Sequence, residues 1–319
     1  MTTGLPGFLL KWSLTLALLV GAALFIDLKE VGAAIERIGP GAFALTVLLS
    51  LIASVVLPAI STRKALFADQ VDVSLRELVT INLGMRFYTL VLPRGLAMAI
   101  RWQRYRARSD GPRATALMLF ERLMQLLVLV LLPPLFLALD PTPTIPILNV
   151  ALAAIALGVP TLLGLAVFLA RRDAPVSGEL DHDGTWTRRQ LARLWRAIRV
   201  YRDLGRGELL QIVSLYVLYY LFLVTTGWIV AASMDLPLTW MQMAWVRPVV
   251  FLLTLFPLTV NGMGIREISF VGLLGLYGID SGSAFALGLS LSAVHIVIGA
   301  LGGLLELRLR WASRRPQTK

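Results

Sequence analysis

Residues 245–278, WVRPVVFLLTLFPLTVNGMGIREISFVGLLGLYG, are apolar enough to enter a bilayer. Midway they are interrupted by Pro257, Asn261, Gly262 and Gly264, and Arg266 and Glu267 follow directly. A continuous membrane helix satisfies its own backbone, whereas irregular backbone is excluded from contact with lipid. A Pro/Gly break at membrane depth must therefore be shielded by other helices or face a wet cavity. The stretch predicts a many-helix membrane protein with a site at the break.

Composition agrees with that expectation. Of 319 residues, 57% are hydrophobic and 15% charged, a balance far from that of soluble domains. The chain has no Cys and only two imidazoles, His182 and His295. Thiolate chemistry is excluded, and no His/carboxylate cluster has the spacing of a zinc site, so neither a metal nor a cofactor is expected. The net charge of +11 resides in basic residues lying between apolar runs. That placement suits anionic lipid headgroups and not nucleic acid.

Six stretches reach the roughly 20 residues that a helix needs to span: 5–26, 38–62, 114–139, 141–170, 209–234 and 281–305. The first is read as a retained span and not a cleaved leader, because Lys11 is the one positive charge before its apolar run. Two further regions, 78–100 with Arg86, Pro93, Arg94 and Gly95, and 245–278, each read as a pair of half-helices. The loops after Thr62 and after Ala170 are rich in Arg, while 140–146 and 235–240 contain neither Lys nor Arg. By loop charge, both termini lie in the cytoplasm. Six spans give that parity if each interrupted region returns to its own side as a re-entrant hairpin; a second hairpin that crosses twice would satisfy it too.

The expected fold is thus an all-α polytopic bundle of six spans and two re-entrant helical hairpins. One domain, 1–319, would be built as an inverted repeat: residues 1–139 with hairpin 78–100, and residues 140–319 with hairpin 245–278. The hairpin tips would then meet near the midplane. Within the cytoplasmic loop 171–207, Leu191, Leu194, Trp195, Ile198 and Tyr201 fall at helical spacing with arginines elsewhere on the wheel. This is an interfacial helix that fixes orientation, with lipid recruitment as the alternative.

Arginine at a helix centre costs roughly 2.5–3.5 kcal/mol on insertion scales. Arg86, Arg94, Arg101, Arg122, Arg247 and Arg266 lie in or beside apolar segments, against the acids Glu121 and Glu267. The surplus suits phosphate, which a guanidinium grips through two parallel hydrogen bonds. A helix starting near Gly264 would add backbone donors. The competing structural reading pairs Arg266 and Glu267 with the other hairpin and lets Arg101 and Arg122 snorkel to the interface. His295 is expected to bond between helices, Gly299, Gly302 and Gly303 to allow close helix packing, and Pro133, Pro134 and Pro160 to kink their spans. No hydrolase triad, P-loop or paired-carboxylate motif can be assembled, so no catalytic residue is expected.

From Asn261 to Glu267, and on through SFVGLLGLYGID, the chain resembles the lysylphosphatidylglycerol synthase transmembrane, or flippase-like, family. Pro257, Gly262, Gly264, Arg266 and Glu267 match its signature, with Asn261 where the family often has Gly. Leu92, Pro93, Arg94, Gly95, Arg101, Glu121 and Arg122 partly keep an earlier pattern whose usual Glu is missing near Leu96, Ala97 and Met98. The resemblance implies a lipid-translocating domain with two re-entrant hairpins. In multiple peptide resistance factors such a domain moves aminoacylated phosphatidylglycerol outward and is fused to a soluble transferase. No room for that transferase is expected in these 319 residues. Hopanoid-associated and archaeal glycolipid-associated relatives widen the range of lipids.

The expected function is translocation of an anionic or phosphate-bearing lipid across the bacterial inner membrane. Arg94, Arg101, Arg122, Arg266, Glu121 and Glu267 would bind the headgroup. Pro93, Gly95, Pro257, Asn261, Gly262 and Gly264 would supply the breaks. Alternatives are an enzyme transferring a group to or from a lipid carrier, and a non-transporting scaffold of a lipid-synthesis complex. The expected partners are a phospholipid or polyprenyl-type lipid and the bilayer, with a homo-oligomer left open.

Overall fold

A computed structural model of the chain describes Ser13 and residues 28–68, 71–92, 94–140, 204–255, 259 and 262–314. The apolar stretches 5–26 and 141–170, the amphipathic loop apart from its last residues, and Pro93, Pro160, Pro257 and Asn261 lie outside the described residues. All regular structure among the described residues is helical. The protein is an all-α, polytopic membrane bundle.

A short helix, α1 (Leu28–Glu36), leads into α2 (Pro40–Leu51), a π-helical turn (Ile52–Val56) and α3 (Leu57–Ala68). Pro at the first position of α2 suits a helix start. From Pro40 to Leu66 the three pieces form one span-length apolar rod. A π turn leaves carbonyls that a regular α-helix would use, and two of them find partners on the next helix, α4 (Leu75–Val91). Asn82 Nδ2 donates to Val55 O at 3.2 Å, and Arg86 Nη2 donates to Ser54 O.

Helix α4 ends at Leu92 in extended backbone, and α5 (Arg94–Arg106) turns back from it. Together they are the first helical hairpin. Asp110 caps α6 (Gly111–Ala138) by accepting from the Arg113 N–H at 2.8 Å. This helix continues through Pro133 and Pro134. After it come α7 (Arg206–Ser233) and α8 (Trp240–Leu253). At the start of α8, Thr239 and Gln242 exchange side-chain-to-backbone bonds at 3.2 and 2.9 Å, a capping box. A break follows, then α9 (Ile265–Leu274), a 3₁₀ turn (Gly275–Tyr277) and α10 (Ser281–Arg314). Burial works against the ionised form of Asp280, but the N–H and hydroxyl of Ser283 hold its carboxylate below the usual range. The cap Asp280 Oδ1···N Ser283 measures 2.7 Å. Among the described residues four rods, Pro40–Leu66, α6, Gly207–Ser233 and Ser281–Leu309, are long and apolar enough to cross a membrane.

Both hairpins pack on α10, α4 along one side and α9 along another. Glycines set the α4/α10 approach. A Cβ on Gly302 would lie 2.2 Å from Leu83 O, and one on Gly303 2.8 Å from the Phe87 ring. One on Gly299 would meet Leu90 at 2.7 Å. Small residues let helix backbones come this close, which is how membrane helices gain packing without a hydrophobic drive between them. At the far end of the second hairpin, Trp245 Nε1 donates to Tyr277 Oη at 2.6 Å, and Tyr277 donates to Asp140 Oδ2 at 2.5 Å. The larger buried cluster, around Tyr220, Trp245, Phe270 and Leu287, joins α7, α8, α9 and α10.

Candidate functional site

A cavity of about 380 Å³ lies between the two hairpins. The first hairpin contributes Asn82, Arg86 and Arg101 to its wall, and α6 contributes Glu121, Arg122 and Gln125. From α7 come Tyr216 and Tyr219, from the second hairpin Thr254 and Arg266, and from α10 His295. The wall therefore holds four guanidiniums and one carboxylate.

The carboxylate is fully engaged. Glu121, 8% exposed, accepts from Arg101 Nη2 at 2.9 Å, from the Tyr105 hydroxyl at 3.4 Å and from the Thr62 hydroxyl. Arg101 also donates from Nε and Nη2 to Tyr105 Oη at 3.3 and 3.1 Å. A buried ion pair needs such extra bonds, because each ion has left water.

Arg266 and Glu267 form a second compensated unit. Arg266 Nη1 donates to Ser292 Oγ at 2.6 Å, and Ser292 donates to Glu267 Oε1 at 2.6 Å. The other carboxylate oxygen, Oε2, accepts the Gly264 N–H at 2.6 Å. Arg266 is 6% exposed and Glu267 1%. Glu267 thus takes up the Gly264 N–H, one of the backbone donors at the α9 N-terminus. Ser292, which bonds both members of the pair, comes from α10.

Positive φ explains two of the breaks. Gly262 and Gly264 sit at φ +75° and +84°, a region that side chains disfavour. A Cβ on Gly262 would also meet Thr254 Cβ at 2.7 Å, so the break folds tightly back on the end of α8. Gly95 is exposed with nothing within 4 Å of a Cβ, so packing does not require it.

Of the residues singled out from sequence, Arg101, Glu121, Arg122 and Arg266 line one cavity, and Glu267 lies behind Arg266. Arg94 opens α5 next to the first break; its side chain is outside the described residues. His295 Nδ1 lies 2.6 Å from Leu291 O on its own helix, where a bond between helices was expected. Arg247, 3% exposed, stacks over Phe270 with its guanidinium 5.7 Å from the ring centroid. Its Nε has no hydrogen-bond partner among the described residues. Sequence reasoning missed Tyr216, Tyr219 and Gln125 as wall residues. A signal existed, since three Tyr in YVLYY on a span need hydroxyl partners. Tyr216 and Tyr219 face the cavity, while Tyr220 turns away and donates to Ala244 O.

The family model described as "Lysylphosphatidylglycerol synthase TM region" matches residues 12–303. The chain belongs to that family. No curated protein and no solved structure matches it. The lysylphosphatidylglycerol synthase TM region here takes in both hairpins, three of the span-length rods and most of the fourth, so the cavity is part of the family's own domain and not of an appended segment. Membership makes this a multi-pass membrane protein of a family with a lipid-related function.

Proposed function

We propose that the protein moves an anionic, phosphate-bearing lipid between leaflets of the inner membrane, with both termini cytoplasmic and the two hairpins re-entrant. The observation that carries this reading is the cavity. Four guanidiniums against one carboxylate, between two broken helical elements, are a costly arrangement unless an anion enters. Broken helices around a midplane site are also how alternating-access transporters build theirs. The lipid phosphate binds Arg101, Arg122 and Arg266, with Arg94 at the neighbouring break. Glu121 and Glu267 orient two of these guanidiniums. Both carboxylates are taken up by hydrogen bonds to their own surroundings, which favours translocation over an acid–base role in group transfer.

The test is leaflet exchange of labelled lipids in proteoliposomes, with phosphatidylglycerol, lysyl-phosphatidylglycerol, phosphatidylethanolamine and a polyprenyl phosphate as candidates. Arg266→Ala is expected to insert normally and lose exchange by about tenfold or more, the loss of a charge-assisted hydrogen bond. Full exchange by that variant, or none by the parent protein with any lipid, would overturn the proposal.

A further inference from the structure

The cavity's arginines are not equivalent. Arg101 is neutralised by Glu121 directly, and Arg266 by Glu267 through Ser292. Arg86 and Arg122 have no carboxylate partner among the described residues. Arg86 is anchored by one N–H on the π turn, at Ser54 O, and Arg122 by Nη1 on Gln125 Oε1 at 2.9 Å. Each bond uses one of the five donors that a guanidinium carries. Tyr219 lines the same cavity as Arg86, Arg122 and Gln125, with both guanidiniums among its electrostatic neighbours.

The two apolar stretches outside the described residues, 5–26 and 141–170, contain no Asp or Glu. The acids outside the described residues, Asp27, Asp69 and those from 173 to 203, all fall outside these two stretches. Guanidinium does not lose its proton in proteins, so these two charges remain. Arg247, packed over Phe270 and not part of the cavity wall, adds a third positive charge.

We infer that Arg86 and Arg122, around Tyr219, form a clamp for a dianionic phosphate, a phosphomonoester or a substituted diphosphate, in preference to the singly charged phosphodiester of a common phospholipid. This inference rests on the translocation reading for its source, a lipid headgroup, and deepens it by naming the charge class. The two forks have the shape to grip phosphate oxygens in pairs. The neighbouring Arg101 and Arg266, already compensated, add donors without demanding further negative charge. A monoanion would leave one guanidinium unbalanced in a site enclosed by apolar helices.

The test is equilibrium binding to the purified full chain in detergent at about pH 8, where a phosphomonoester carries close to two charges. Short-chain phosphatidic acid is compared with phosphatidylglycerol of the same acyl chains, and inorganic phosphate serves as a tail-less dianion. Phosphatidic acid should bind at least about tenfold more tightly than phosphatidylglycerol, as expected for one further charge-assisted pair. Arg122→Gln and Arg86→Gln should each weaken phosphatidic acid by about tenfold and phosphatidylglycerol by clearly less, so that the two lipids come within about threefold of each other. Arg122→Lys, which keeps the charge but not the fork, should fall between. Because Arg86 also holds the π turn, Arg122, bonded locally to Gln125, keeps the test decisive if Arg86→Gln fails to fold.

Equal affinity for the two lipids, or variants that weaken both alike, would overturn the clamp. Inorganic phosphate as potent as phosphatidic acid would overturn the headgroup as its source. Failure of this inference is separable from failure of the translocation reading. Exchange of phosphatidylglycerol and phosphatidic acid at equal rates, lost in Arg266→Ala, would sink only the clamp. Selective binding without exchange of any lipid would sink only translocation.

Discussion

Ser292 is the residue on which the second charged unit turns. Its single hydroxyl accepts from Arg266 and donates to Glu267, so a buried cation and a buried anion communicate through one oxygen. Ser292→Ala would leave both facing a methyl group. Removing one partner from a buried polar network strands the others and costs about 1–3 kcal/mol. We expect Ser292→Ala to lower the thermal unfolding temperature in detergent while Arg86 and Arg122 keep their ligand. Unchanged stability would show that water replaces the hydroxyl without loss. The Gly264/Glu267 spacing carried a legible signal of its own, because an acid three residues into a helix is half of a capping box. Sequence reading took the Glu for a headgroup residue and left the helix end open. The bond at 2.6 Å to the Gly264 N–H shows that the nearest claimant for that end is inside the helix.

Among the elements, glycine separates packing from conformation. Gly302 and Gly272 are both helical, but a Cβ on the first would run into the α4 backbone, and one on the second meets nothing within 4 Å. Gly302→Ala should destabilise the α4/α10 contact by about 1–3 kcal/mol, the range for overpacking. Gly272→Ala should be neutral or stabilising by up to about 1 kcal/mol, since alanine restricts the unfolded chain. Thermal unfolding of both variants in one detergent reads the difference; equal effects would place the close approach elsewhere. The glycine stripe was legible because its three members fall on one face of a span. The π turn at Ile52–Val56 was not. Pro58, which has no N–H to offer the Ser54 carbonyl four residues back, marks a weak place in the run, but an extra helical residue there is not otherwise written in the sequence, and its distant partners, Asn82 and Arg86, are met only in the fold.

For the molecule as a whole, counting charges anticipated the main electrostatic feature. Few acids in the spans meant that arginine would be left over, whatever the packing. Which arginines those are could not be counted, because Arg101 finds Glu121 only when α5 lies beside α6. The proposed orientation in the membrane rests on the loop arginines and can be checked directly, because the chain has no cysteine of its own. Ala107→Cys and Pro237→Cys place single thiols at exposed positions on opposite ends of the bundle. An impermeant thiol reagent added outside spheroplasts should label Pro237→Cys within minutes and Ala107→Cys only after lysis. The reverse pattern would invert the proposed topology.

The size of the cavity bears on how a lipid could use it. About 380 Å³ lies at the lower end of small-molecule pockets, room for a polar head and none for two acyl chains. A lipid served by this site must keep its hydrocarbon in the surrounding oil while its head is inside the protein, as a card keeps its body outside the slot that reads its edge. The wall between cavity and bilayer then has to part along a seam and not through a pore. The molecule would work with one side open to fat and the other to charge.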